Sequence, residues 1–144
     1  MEKRETKTLL IGIDPDCKKS GVALWNRNSK VCTFSTLSFF ALFDELKHWK
    51  DAIEKVVVEA GWENRSHWHG AINIQIAGRI GNNTGANHET GKKIVEMCEY
   101  LGIPFELARP TRSKLGAKAF QQITGIKERT NQEERDAVML VFGR

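Results

Sequence analysis

TLLIGIDPDCKKSGVALW, residues 8–25, holds two apolar runs separated by a polar break. Leu9 to Ile13 is almost continuously apolar and stops abruptly at Asp14. Pro15-Asp16 and Lys18-Lys19-Ser20 supply turn-forming residues before Gly21, and Val22 to Trp25 is apolar again. Short apolar runs bounded in this way predict two strands joined by a tight connection, the first ending in an ionisable group. A carboxylate at that point sits beside low-dielectric core, where an unpaired charge is expensive. Taken alone, Asp14 is as readily the start of a turn as a functional group. Partner carboxylates elsewhere in the chain decide between the two.

Outward from this stretch, NRNSK (26–30) has turn composition and VCTFSTL (31–37) alternates as a third strand, which predicts an antiparallel meander. SFFALFDELKHWKD (38–51) places Phe39, Leu42, Phe43, Leu46 and Trp49 at helical spacing, with Ser38 as N-cap. VVVEA (56–60) is a further short β-branched strand, and it too ends in an acid, Glu59. A helix between two strands implies a parallel crossover onto the same sheet.

Residues 61–91 change character, because they hold six of the chain's twelve glycines together with Trp62, His67, Trp68, His69 and several Asn. AINIQIAGRI (71–80) suits a short helix, but the span as a whole is expected to be a long, mobile functional loop. ETGKKIVEMCEYLG (89–102) carries Ile94, Val95, Cys98 and Leu101 on one helical face, and IPFELA (103–108) suits a last strand. A basic connection, ARPTRSKLGAK (108–118), leads to a short helix at 118–125. A final helix follows at 130–143, capped by Thr130 or Asn131, with Glu133 and Glu134 favouring its dipole.

A chain of 144 residues with 40% hydrophobic and 28% charged content is expected to fold as one globular domain. It has no apolar run near the roughly 20 residues of a membrane span, and MEKRETK has no signal-peptide pattern. Cys17, Cys32 and Cys98 are odd in number and widely spaced, which predicts reduced thiols in a cytoplasmic protein. The net charge of +4 points mildly to a polyanionic partner.

Acids stand beside apolar elements in three places: Asp14 and Glu59 at strand ends, and Glu133 with Asp136 on the last helix. Their i, i+3 spacing puts Glu133 and Asp136 on one helix face, close to the face that Ala137, Leu140 and Val141 turn toward the core. Four converging carboxylates repel unless they hold protons or share a cation. Oxygen-only ligands select a hard ion, Mg²⁺ or Mn²⁺, and two such ions about 4 Å apart suit phosphodiester hydrolysis. Asp16 and Glu134 are left as solvated surface acids. Residues 109–118 hold four basic groups, Arg109, Arg112, Lys114 and Lys118, and no acid, which suits phosphate contacts. Trp62 and Trp68 in a polar loop suit stacking on unpaired bases.

The order of these elements resembles the RuvC family of Holliday-junction resolvases, within the ribonuclease-H-like superfamily. The resemblance runs through IGIDP followed by Gly21, VVVEA, GIPFELARPTR and NQEERDAVML, and so spans nearly the whole chain. It implies an α/β fold with a mixed five-stranded sheet, an antiparallel meander plus parallel strands, flanked by helices. It also implies a single nuclease domain over 1–144, with Asp14, Glu59, Glu133 and Asp136 as catalytic metal ligands. Trp62 takes the place of an aromatic that stacks on bases near the crossover, and Arg109, Arg112, Lys114 and Lys118 that of the phosphate contacts. The chain departs from the family at Asp16, where Gly is usual, and at Glu133, where bacterial members commonly have Asp. The expected activity is Mg²⁺-dependent cleavage of branched DNA by a homodimer, with helix 89–102 at the interface. The competing readings are a nuclease for RNA–DNA hybrids and a catalytically silent module that only binds junctions.

Overall fold

The computed structural model describes residues 6–63, 74–110 and 114–144, with backbone alone over 74–83. Strands β1 (Leu9–Asp14), β2 (Ser20–Asn26) and β3 (Val31–Leu37) form the expected meander, followed by helix α1 (Phe39–Trp49) and strand β4 (Ile53–Glu59). A single 3₁₀ turn at Gly61–Glu63, helix α2 (Ile74–Leu101), strand β5 (Phe105–Ala108) and helices α3 (Ala117–Thr124) and α4 (Gln132–Val141) complete the order. The sheet runs β3-β2-β1-β4-β5, with β1 antiparallel to β2 and parallel to β4. It is a five-stranded mixed sheet, as the sequence predicts.

Strand alternation divides the core in two. Leu9, Ile11 and Ile13 point to one face with Val22, Val56 and Val58, where Leu42 and Leu46 of α1 and Ile94, Cys98 and Leu101 of α2 cover them. Leu10, Ala23, Trp25 and Val57 point to the other face, under Ala137, Val138 and Val141 of α4 and Phe120 of α3. The caps follow local chemistry. Ser38 Oγ accepts from Ala41 N at 3.4 Å, and Asn131 with Glu134 forms a reciprocal capping box at the start of α4. Glu134, expected to be a solvated acid, is therefore a capping residue. Asp16 is likewise structural: its Oδ1 accepts from Lys18 N at 2.8 Å, which closes the β1–β2 turn.

The long loop expected over 61–91 is overturned in its second part, since α2 is 28 residues long and begins at Ile74. Glycine and asparagine lower helix propensity there, but propensity is a weak prior and extending a packed helix costs less than nucleating one. The segment expected at 89–102 is the anchored C-terminal half of this same helix. Residues 64–73, with His67, Trp68 and His69, lie outside the described residues.

Candidate metal centre

Register explains how the acids meet. Ile13 pairs with Val58 across the parallel strands β1 and β4, so the residues that follow, Asp14 and Glu59, end side by side. Leu10 and Val57 belong to the α4 face, and steps of two along each strand carry Asp14 and Glu59 to that same face. Asp136 comes from α4, which lies close because Gly12 and Gly21 offer no Cβ. One built at Gly21 runs into the Glu133 carbonyl, and one at Gly12 into that of Ala137. Carboxylate oxygens of Asp14, Glu59 and Asp136 consequently all lie within 4.8 Å of one another.

Each acid has a distinct environment. Glu59 is only 8% exposed, and its Oε1 accepts from Lys114 Nζ at 3.0 Å. Asp136 Oδ2 pairs with the same Lys114 Nζ at 3.0 Å, while its Oδ1 accepts from Gln132 Nε2 at 2.8 Å. Burial, then the charge and hydrogen bond of Glu59, then the charge of Asp136 push the Asp14 carboxyl up to about 9, against a smaller opposing pull from Lys114. Lys114 is itself held above its ordinary value: burial works against its charge, and the bonds to Asp136 and Glu59 outweigh it. Three crowded oxygen donors, with Asp14 held well above the usual carboxylate range, fit a hard divalent ion.

Two further residues order this centre, and neither was singled out from sequence. Arg135 donates from Nε to the Leu115 carbonyl at 3.0 Å, from Nη1 to the Thr130 carbonyl at 2.9 Å, and from Nη2 to Gln132 Oε1 at 3.2 Å. Gln132 passes that constraint on to Asp136. The i, i+4 placement of Gln132 and Asp136 was the available signal. Glu133 stands apart from the three clustered carboxylates, with its backbone over Gly21.

Trp62 is half-buried, seated against Gly91 of α2 and packed on the α1/α2 side of the core. With Asp14, Glu59, Asn87, His88 and Pro110 it lines a cleft of about 270 Å³. A second, more apolar cleft lies beyond Glu59 and Asp136, bounded by Leu115, Ile123 and Met139. Arg109 is 82% exposed and reaches Glu63 at 3.7 Å, and Lys118 is exposed on α3. Lys114, expected among the phosphate contacts, is instead turned into the carboxylates. Arg112 lies outside the described residues.

No protein-family model and no curated protein matches the chain. Among solved structures, it is similar to T. thermophilus RuvC in complex with a Holliday junction substrate. That match has 16% identity and a TM-score of 0.51, and it covers 92% of this chain and 89% of that one. The yeast mitochondrial Holliday junction resolvase Ydc2 matches at 14% identity and a TM-score of 0.35, over 86% of this chain and 61% of the other. The chain therefore has a ribonuclease-H-like fold. Within that class, its structural likeness is to RuvC, as the sequence motifs imply.

Proposed function

We propose that this protein is a divalent-metal-dependent endonuclease that resolves Holliday junctions or other branched DNA by phosphodiester hydrolysis. The observation that carries the reading is the convergence of Asp14, Glu59 and Asp136 at one end of a RuvC-like sheet. These three hold the ion or ions, and Glu133, one turn before Asp136, completes the proposed set of four. One or two Mg²⁺ or Mn²⁺ ions bound there would supply activation of a water and neutralisation of charge on the phosphate. Arg109, Arg112 and Lys118 hold the DNA backbone, a contact that confers affinity rather than sequence preference.

Paired incision requires two sites related by a two-fold axis, so the proposed active form is a homodimer. Tyr100 on α2, 81% exposed, and Phe40 on α1, 79% exposed, offer apolar surface for it. Among the described residues no helix is long and apolar enough to cross a membrane. Cys17, Cys32 and Cys98 are free thiols, which suits a reducing compartment such as the cytoplasm.

Incubation with four-way, duplex and RNA–DNA hybrid substrates tests the reading directly. Paired symmetric cuts in the four-way junction, present with Mg²⁺ and absent with EDTA, are expected. Preferential cutting of the hybrid would favour the alternative nuclease. Junction binding without any cutting would leave only a binding module.

Trp62 gives a substrate-specific expectation. Stacking on an opened base contributes roughly 1–3 kcal/mol, so Trp62→Ala should slow junction cleavage roughly ten- to a hundredfold. Because the ring also packs against Gly91, the substitution will lower the melting temperature as well. Lost stability reduces cleavage of every substrate alike, whereas lost stacking reduces the ratio of junction to flap cleavage. An unchanged ratio would assign Trp62 to packing alone.

A further inference from the structure

We propose that the Lys114 ammonium is a resident cation of this centre: in the metal-free chain it bridges Glu59 and Asp136, and a divalent ion binds by displacing it. The inference rests on the metal-dependent reading above and adds a competitor within the site.

Lys114 Nζ lies 3.0 Å from both Glu59 Oε1 and Asp136 Oδ2. Those carboxylate side chains are only 9% and 12% exposed, so the ammonium is the partner that offsets their burial. Gln132 Nε2 already donates to Asp136 Oδ1, so apart from Lys114 the less encumbered oxygen for an incoming cation is Oδ2. That atom is the one Lys114 holds. An ammonium and a hard divalent ion therefore compete for the same donor, and both cannot sit within bonding distance of it without repelling each other.

The surroundings allow the exchange. The Lys114 side chain is 41% exposed, so its head can swing outward without unpacking the core. The neighbouring backbone stays put, because the Leu115 carbonyl is fixed by Arg135.

Mn²⁺ titration of the DNA-free protein by calorimetry tests this, using wild type, Lys114→Met and Lys114→Gln. Charge-assisted hydrogen bonds that oppose ion entry are removed in the variants, so Mn²⁺ should bind roughly ten- to a hundredfold more tightly. A parallel measurement on wild type does not depend on how the variants fold. Acylation of the Lys114 amine, followed by mass spectrometry, should rise when Mg²⁺ is added. Equal or weaker Mn²⁺ binding by folded variants, or labelling that does not rise, overturns the proposal and leaves the metal centre standing. Absence of Mn²⁺ binding in wild type and both variants overturns both.

Discussion

Asp14→Asn should abolish junction cleavage while leaving junction binding intact. Asp14 supplies one of three clustered oxygens for the proposed cation, whereas the proposed phosphate contacts are basic side chains, Arg109, Arg112 and Lys118. Losing a metal ligand removes several kcal/mol of transition-state stabilisation, roughly a thousandfold or more in rate. Removing a negative charge near the DNA does not weaken its binding. Glu59→Gln and Asp136→Asn should behave alike. Near-wild-type cleavage by any of the three would take that residue out of the site.

A stability measurement separates this role from simple misfolding. The folded chain holds the Asp14 proton up to about 9, against an ordinary 3.8. Protonation of Asp14 therefore favours the fold at low pH, and that contribution is lost as pH climbs from the ordinary value through about 9. In EDTA, wild type should lose melting temperature over this window. Asp14→Asn cannot ionise and should lose less, and at the alkaline end it should be the more stable protein. Identical melting profiles against pH would contradict the crowding of charge at this site.

Gly21→Ala is expected to be the most damaging change outside the carboxylates. Its Cβ would collide with the Glu133 carbonyl, a backbone atom in the first turn of α4 that cannot rotate aside. Relief requires α4 to lift from the sheet, at a cost of about 3 kcal/mol or more. The melting temperature should fall by roughly ten degrees. Lifting α4 also carries Asp136 away from Asp14 and Glu59, and a displacement of about 1 Å is enough to lose roughly a hundredfold in rate. A variant with normal melting temperature and normal cleavage would mean that α4 does not press on β2 as described.

The strands and the acids that end them were legible because both signals are local. Leu9–Ile13 and Val56–Val58 are compact apolar runs, and an acid stops each one. The capping pair Asn131 and Glu134 was partly legible for the same reason, although Glu134 was not recognised as its second half. The length of α2 was not legible, because its glycines and asparagines argue locally for a loop while the packing of Ile94, Cys98 and Leu101 argues from across the core. The acid partners of Lys114 were not legible on the same ground. Composition put it in a basic, phosphate-facing connection, and only the meeting of β4 and α4 reveals the two acids that draw it inward. The seat of Trp62 on Gly91 was not legible either, because it comes from a helix whose start the sequence does not reveal.

Asp14, Glu59 and Asp136 lie on β1, β4 and α4, so they are synthesised at widely separated times. During translation the first two carboxylates are in place long before the third. A nascent chain that has formed only the sheet has neither the Asp136 oxygens nor the Gln132 and Arg135 contacts that orient them. Such a chain has two of the three clustered acids and lacks the third. The proposed nuclease activity would thus become available only when α4 docks. On the proposed function, cutting of DNA would be tied in this way to completion of the fold.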